Sequence, residues 1–179
     1  VEGLNYYGAC RPALEVGGDY YDFHELPEEK FGFAIGDISG KGIGAALMMA
    51  SLQASLRGQT IHFKDELGEM MKHINTLLYE ASTSNRYATF FYAQYDPKTR
   101  KLIYVNAGHN PPFLIRENGE VLKLEEGGAV IGMLPSMFVN YEQGEIELQP
   151  GDLLVGSTDG ITEAMNPREE EWSEEAMLE

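Results

Sequence analysis

FGFAIGDISGKGIGAALMMASLQASLR, residues 31–57, reads as a strand, a tight acidic turn and a helix. Phe31, Phe33 and Ile35 alternate with small residues, the period of a half-buried strand. The next seven residues, Gly36 to Gly42, have no apolar period, and their three glycines let the backbone take positive φ and pass close to a ligand. From Ala45 to Leu56 the residues are small or aliphatic helix formers. Asp37 therefore closes a core strand beside a helix start. A carboxylate held there by rigid backbone and open on one side suits metal ligation or base chemistry. The same residues taken alone also describe an ordinary Gly-Asp turn.

On the N-terminal side, residues 4–10 predict an edge strand, interrupted at Arg11-Pro12. Val16 to Phe23 predicts a strand with a bulge or close backbone approach at Gly17-Gly18, and Leu26 to Lys30 a polar hairpin connection. The helix is expected over 42–57. A second, one-sided helix is expected from Asp65 to Ser82, with Leu67, Met70, Met71, Ile74, Leu77, Leu78 and Ala81 as its apolar stripe and His73 solvated. Strands follow. Tyr87–Tyr95 and Leu102–Asn106 form one hairpin, and Pro112–Arg116 and Val121–Leu124 another around Asn118-Gly119. Val139–Leu148 alternates as a strand, Leu153–Ser157 reads as a buried strand, and Ser173 caps a helix that starts near Trp172. The class is α+β with mainly antiparallel sheets.

The 179 residues suit one domain with a sizeable core. A net charge of −16 argues against nucleic acid and anionic membranes, both of which need a basic face. Phosphorylated substrates stay open, because metal cations can reverse the local sign. Cys10 is the single cysteine, which excludes an internal disulfide and fits a reducing compartment, so a cytoplasmic location is expected. Ile43 to Leu56 is too short and too polar to span a bilayer, and Val1-Glu2-Gly3 lacks the start of a signal peptide. With no initiating Met, the chain is expected to be a piece of something longer.

Three acidic motifs beside glycine stand out: Gly18-Asp19, Gly36-Asp37 and Thr158-Asp159-Gly160. There is no zinc-type Cys/His cluster, no Gly-x-Ser-x-Gly nucleophile, no P-loop and no dinucleotide fingerprint. What remains is an all-oxygen ligand set, which suits hard cations such as Mg²⁺ or Mn²⁺. Carboxylates brought together without a cation would raise each other's pKa.

GGDYYD (17–22), GDISGKGIGAALMM (36–49), NAGHNPP (106–112) and GDLLVGSTDGITEA (151–164) together resemble the metal-dependent, type 2C-like Ser/Thr protein phosphatases. The bacterial branch is the closest, typified by the sporulation stage II E phosphatase and the stress-regulator phosphatases. The motifs occur in order over about residues 4–165. The resemblance implies two stacked antiparallel β-sheets flanked by helices, with a binuclear Mn²⁺ or Mg²⁺ centre at one end. It implies that Asp37 bridges two metals, that the Ile38 carbonyl is a further ligand, that Asp19 serves one metal and that Asp159 serves the other. Asp37 and Asp159 thereby become the catalytic pair, aiming an activated water in line at phosphorus. The family supplies one more metal aspartate in a C-terminal Asp-Asp-x-Thr strand. This chain reaches Glu179 without it, so residues 1–179 are expected to be a single catalytic domain truncated at its C-terminus.

Three further residues are candidates for substrate binding. His109 could protonate the leaving group or sit near a third metal, and the commoner reading is a hydrogen-bonded turn histidine. Lys41 could meet substrate phosphate or be a solvated loop lysine, and Arg11 could hold phosphate bidentately. Asp22 and Asp152 read as structural, and Glu163 as supporting a ligand or solvated. By the resemblance, the substrate is a small phosphorylated regulator of a bacterial partner-switching pathway, such as an anti-sigma factor antagonist. An N-terminal sensor or receiver domain is the expected neighbour. A catalytically silent docking module and a structural cation-binding domain are the competing readings.

Overall fold

The computed structural model describes residues 3–11, 17–81 and 86–178. The expected strand start at Val16 and helix end at Ser82 lie outside them. Antiparallel pairing builds a large sheet from β1 (Asp19–Glu25), β2 (Phe31–Ile38), β3 (Ala88–Asp96) and β4 (Lys101–Ala107). A small sheet centres on β5 (Phe113–Ile115), with β6 (Val121–Lys123) on one side. β7 (Gly127–Gly128) pairs parallel with β4, and β8 (Gly144–Glu147) pairs antiparallel with it. β9 (Leu153–Val155) returns to complete the small sheet, order β6-β5-β9. The helices are α1 (Ile43–Phe63), α2 (Leu67–Ala81) and two short ones, α3 (Asp159–Thr162) and α4 (Ser173–Leu178).

Strand alternation sends side chains to two cores. Ala34, Phe90, Tyr92, Ile103 and Val105 meet Met48, Leu52 and Leu56 of α1 and Met70, Met71 and Ile74 of α2. The opposite residues, Phe91, Ala93, Leu102 and Tyr104 with Phe33 and Ile35, meet Leu114, Leu122 and Leu154 of the small sheet. The two sheets therefore stack face to face, with the α1–α2 pair covering the outer side of the large one.

Several elements depart from the sequence reading. Residues 4–10 form no strand. Leu4 joins the inter-sheet core instead, and the Tyr6 ring rests on Phe23 and Phe31 at 4.9 and 4.6 Å. α1 continues six residues past Arg57, because Thr60 still faces the core and Phe63 packs on it. On α2, Leu77 and Ala81 are exposed, and buried Asn75 takes a place in the stripe. Asn75 donates to the Leu134 carbonyl (3.0 Å) and Ser136 Oγ (3.1 Å) and accepts the Gly132 N–H (2.8 Å), so its amide is satisfied. The alternation over 139–148 yields a ladder only at Gly144–Glu147. Val139 and Tyr141 bury their side chains against the helices without strand partners. β9 is an edge strand rather than a buried one, with Leu153 56% exposed.

Candidate metal-binding carboxylate centre

Asp37 continues the β2 row of Phe33 and Ile35 to the strand end, where the inter-sheet core stops. In the ladder its partners are Asp19 on β1 and Thr89 on β3. Asp19 and Asp37 therefore share one sheet face on neighbouring strands. Like charges opposite each other are unfavourable, and the cost appears in Asp37. Its carboxyl is pushed up to about 6, first by burial and then by the charges of Asp19 and Asp159, against the opposing pull of the Ile38 amide. Asp159 arrives from the other sheet, as the first residue of α3 just past β9.

The backbone around this pair is shaped by Gly18. A Cβ there would sit 2.6 Å from the Ile38 carbonyl oxygen and 2.8 Å from Asp37 Oδ1. The close approach expected at Gly17-Gly18 is thus present: the Gly18 backbone lies against two oxygens with no room for a side chain. After Ile38 the chain turns sharply through Gly40 (φ 91°) and Gly42 (φ 79°) before α1. Those values are strained for residues with a side chain.

His109 lies in the turn after β4, 6% exposed. Its N–H donates to Asn106 Oδ1 (2.7 Å), Asn106 Nδ2 donates to the His109 carbonyl (3.0 Å), and its Nδ1 is 2.9 Å from Thr89 Oγ1. Burial lowers its pKa to about 4, against the opposing influence of Asp159 and the Ser157 carbonyl, so the ring is neutral and stands near Asp159.

Of the residues singled out from sequence, Asp19, Asp37, Asp159, the Ile38 carbonyl and His109 gather at one end of the sandwich. Lys41 is exposed in the turn before α1. Arg11 is exposed too, and it follows Cys10, whose thiol is pushed up by partial burial and then by the charge of Asp19. Asp22 and Asp152 are structural. Asp22 takes a bidentate pair from Arg57 (2.9 and 2.6 Å), and Asp152 pairs with Arg116 and accepts the Gln149 N–H (2.8 Å). Glu163 is exposed. Sequence reasoning missed Thr89, whose relation to Asp37 exists only in the strand register. It also missed Arg86, whose guanidinium packs against Gly44 at the start of α1. Among the described residues, no three His, Cys, Asp or Glu side chains are grouped closely enough to hold a metal ion by themselves. Two surface hollows, of about 490 Å³ beside Arg116 and Asp152 and about 180 Å³ beside Lys30 and Asp65, include none of the carboxylate-centre residues.

The donor set fits a hard divalent cation. Mg²⁺ is commonly held by one or two carboxylates with several waters. Here a carboxylate pair and a main-chain carbonyl are present, and the oxygens of Asp37 carry repulsion that a cation would relieve.

Fold and site together define a two-sheet α+β sandwich with carboxylates gathered at one end. Its architecture matches the PP2C phosphatase domain of SpoIIE from Bacillus subtilis with a TM-score of 0.73 at 27% identity, covering 95% of this chain and 49% of that one. The RsbU and RsbW domains of Rv1364c from Mycobacterium tuberculosis match with a TM-score of 0.72 at 25% identity, over 86% of this chain and 42% of that one. The family model described as Stage II sporulation protein E (SpoIIE) matches residues 27–179, and the chain belongs to that family. Among curated relatives, the phosphoserine phosphatase RsbU of Bacillus subtilis (strain 168) is 32% identical over 90% of this chain and 48% of its own length. Protein IcfG of Synechocystis sp. is 29% identical over 94% of this chain and 30% of its own length. The chain thus spans under half the length of these relatives. No helix of the described residues is long and apolar enough to cross a membrane.

Proposed function

We propose that this chain is a metal-dependent protein phosphatase domain that hydrolyses phosphoserine or phosphothreonine on a small regulatory protein. The observation that carries the reading is the Asp19–Asp37 cross-strand pair, with Asp37 pushed up to about 6 by burial and by two like charges. Asp37 would be shared between two Mn²⁺ or Mg²⁺ ions, with the Ile38 carbonyl as a further ligand, Asp19 serving one ion and Asp159 the other. When bound, such ions supply Lewis acidity toward phosphate and toward an attacking water. The chain's own residues would hold the carboxylates near strand ends, and the sequence carries no Gly-x-Ser-x-Gly nucleophile motif. Lys41 and Arg11, both exposed, are cations that would meet a phosphorylated substrate in a chain of net charge −16.

RsbU is by name a phosphoserine phosphatase, which supports phosphoserine as the group removed. The reading extends to an anti-sigma factor antagonist or a similar partner-switching regulator as the substrate, and to a cytoplasmic setting with a sensor or receiver domain elsewhere in the whole protein. The test is phosphate release from a phosphoserine-bearing protein. Turnover should require Mn²⁺ or Mg²⁺, stop with chelator and stop in Asp37→Asn. Chelator-resistant turnover by the purified protein overturns the mechanism.

A further inference from the structure

We propose that Arg86 is a specificity-determining residue of this domain, whose guanidinium takes an acidic side chain of the protein substrate at the rim of the carboxylate centre. The proposal rests on the phosphatase reading of that centre and extends it from the phosphate to the protein that carries it.

The strand register sets the position. β2 and β3 pair as far as Ile38 opposite Ala88. Two further bonds continue the contact, from the Ser39 N–H to the Tyr87 carbonyl (2.9 Å) and from the Tyr87 N–H to Ser39 Oγ (2.9 Å). Arg86 is the next residue out, level with the turn that follows Asp37 and Ile38. Alternation puts it on the face of Ala88 and Phe90, which pack toward α1 and α2, while Asp37 and Thr89 share the opposite row. Its guanidinium therefore stands beside the carboxylates rather than among them, seated on the first turn of α1. A Cβ at Gly44 would fall on that guanidinium, with Nη1 and Cζ nearest and Nη2 at 2.6 Å.

Charge separates Arg86 from the other arginines. Arg57, Arg100 and Arg116 each hold a carboxylate, and Arg11 and Arg168 are exposed. Arg86 is partly buried, and among the described residues no carboxylate lies within ion-pair distance of it. The first turn of α1 offers no acidic residue either. A guanidinium drawn partly out of water gains from a carboxylate in its own plane, which two of its N–H groups can grip together. In a chain of net charge −16, an acidic substrate is repelled over most of the surface. One seated, uncompensated guanidinium beside the centre then decides where such a substrate is accepted.

The experiment uses three phosphate esters with Mn²⁺: a phosphoserine peptide flanked by glutamates, the same peptide flanked by alanines, and para-nitrophenyl phosphate. Steady-state kinetics and peptide affinity by calorimetry are measured on the chain and on Arg86→Gln, Arg86→Lys, Gly44→Ala and the Gly44→Ala/Arg86→Gln double variant. Thermal unfolding is run alongside. Gly44→Ala pushes aside the end of a flexible side chain, and alanine suits a helix better than glycine, so it reads the guanidinium even if Arg86→Gln fails to fold. The expected result is a wild-type preference of about tenfold in kcat/KM for the glutamate peptide over the alanine peptide. Arg86→Gln and Gly44→Ala should lose it, and Arg86→Lys should keep part of it. The double variant should lose no more than the worse single variant. A wild type without the preference, a preference that survives Arg86→Gln, additive losses, or an equal loss on para-nitrophenyl phosphate each overturn the proposal. If the wild type hydrolyses none of the three esters, the phosphatase reading fails, while calorimetry with the two peptides still tests Arg86.

Discussion

Asp37 bears a conflict that a cation would resolve, and the conflict has a sign. Its folded-state pKa is raised from 3.8 to about 6, so the stability linked to it is fully present below 3.8 and lost as pH rises through 6. Asp37→Asn should therefore raise the metal-free melting temperature at pH 7.5 while abolishing Mn²⁺ binding and turnover, which scanning calorimetry and a binding isotherm can check together. Below pH 6, a cation must displace a proton from Asp37. Mn²⁺ affinity should then fall about tenfold per pH unit, while staying flat from pH 7 to 8. His109 works in the other direction. Its pKa is lowered from 6.5 to about 4, so its contribution is complete above 6.5 and is lost as pH falls toward 4. Buried His24, also lowered mainly by burial, adds to that loss. The two trends offset each other between pH 4 and 6.5. The metal-free wild type should show a shallow pH–stability profile there, and Asp37→Asn a clear fall toward acid, measured by urea denaturation across the range.

α1 shows where sequence reading reaches and where it stops. Its existence and its start after Gly42 were legible from the glycine turn and the helix formers. Its buried face was not, because apolar residues lie on both sides: Leu52 and Leu56 are fully buried, while Leu47 and Ile61 are 65% and 68% exposed. Its true end was hidden by Gly58, a weak helix former that tertiary contacts at Thr60 and Phe63 override. The carboxylate candidates were legible as strand-end motifs beside glycine. Their mutual arrangement was not, since Asp19 opposite Asp37 opposite Thr89 is a property of register between strands. The same limit hid the clamp between α1 and β1, where Arg57 grips Asp22, and Tyr20 donates to Asp22 Oδ2 at 3.0 Å. Burial alone would raise the Asp22 pKa, but the Arg57 and Tyr20 hydrogen bonds hold it below the usual carboxylate range. Removing Arg57 strands a carboxylate only 9% exposed, whereas removing Asp22 leaves a half-exposed guanidinium free to turn into water. Arg57→Ala should thus destabilise more than Asp22→Ala, by about 1 kcal/mol in chemical denaturation. Leu52→Ala, which empties part of the helix–sheet core, should cost about 2–5 kcal/mol.

Across the whole molecule, the charge of −16 opposes compaction as well as association. Sodium chloride from low to physiological concentration should raise the melting temperature by screening this repulsion. MnCl₂ at matched ionic strength should raise it further in the wild type but not in Asp37→Asn. Equal effects of the two salts on both proteins would mean that screening, with no site, accounts for the gain.

The strand connections also grade stability along the chain. β1–β2 and β3–β4 pair across short turns, whereas α1 and α2 stand between β2 and β3, so the large sheet already needs contacts between residues as far apart as Ile38 and Ala88. The small sheet closes over a comparable stretch, when Leu154 returns to Leu114. What sets it apart is its size: β9 is a three-residue edge strand with one ladder partner. Segments with few buried contacts open at lower free energy than the centre of a wide sheet. Asp159 follows β9 closely, so its side of the carboxylate end opens before the centre of the large sheet. In native-state hydrogen exchange, the amides of β3 should be the slowest and those of β5 and β9 markedly faster. Added Mn²⁺ should slow the β9 amides while leaving β3 unchanged, turning the ion into a latch on the open edge of the small sheet.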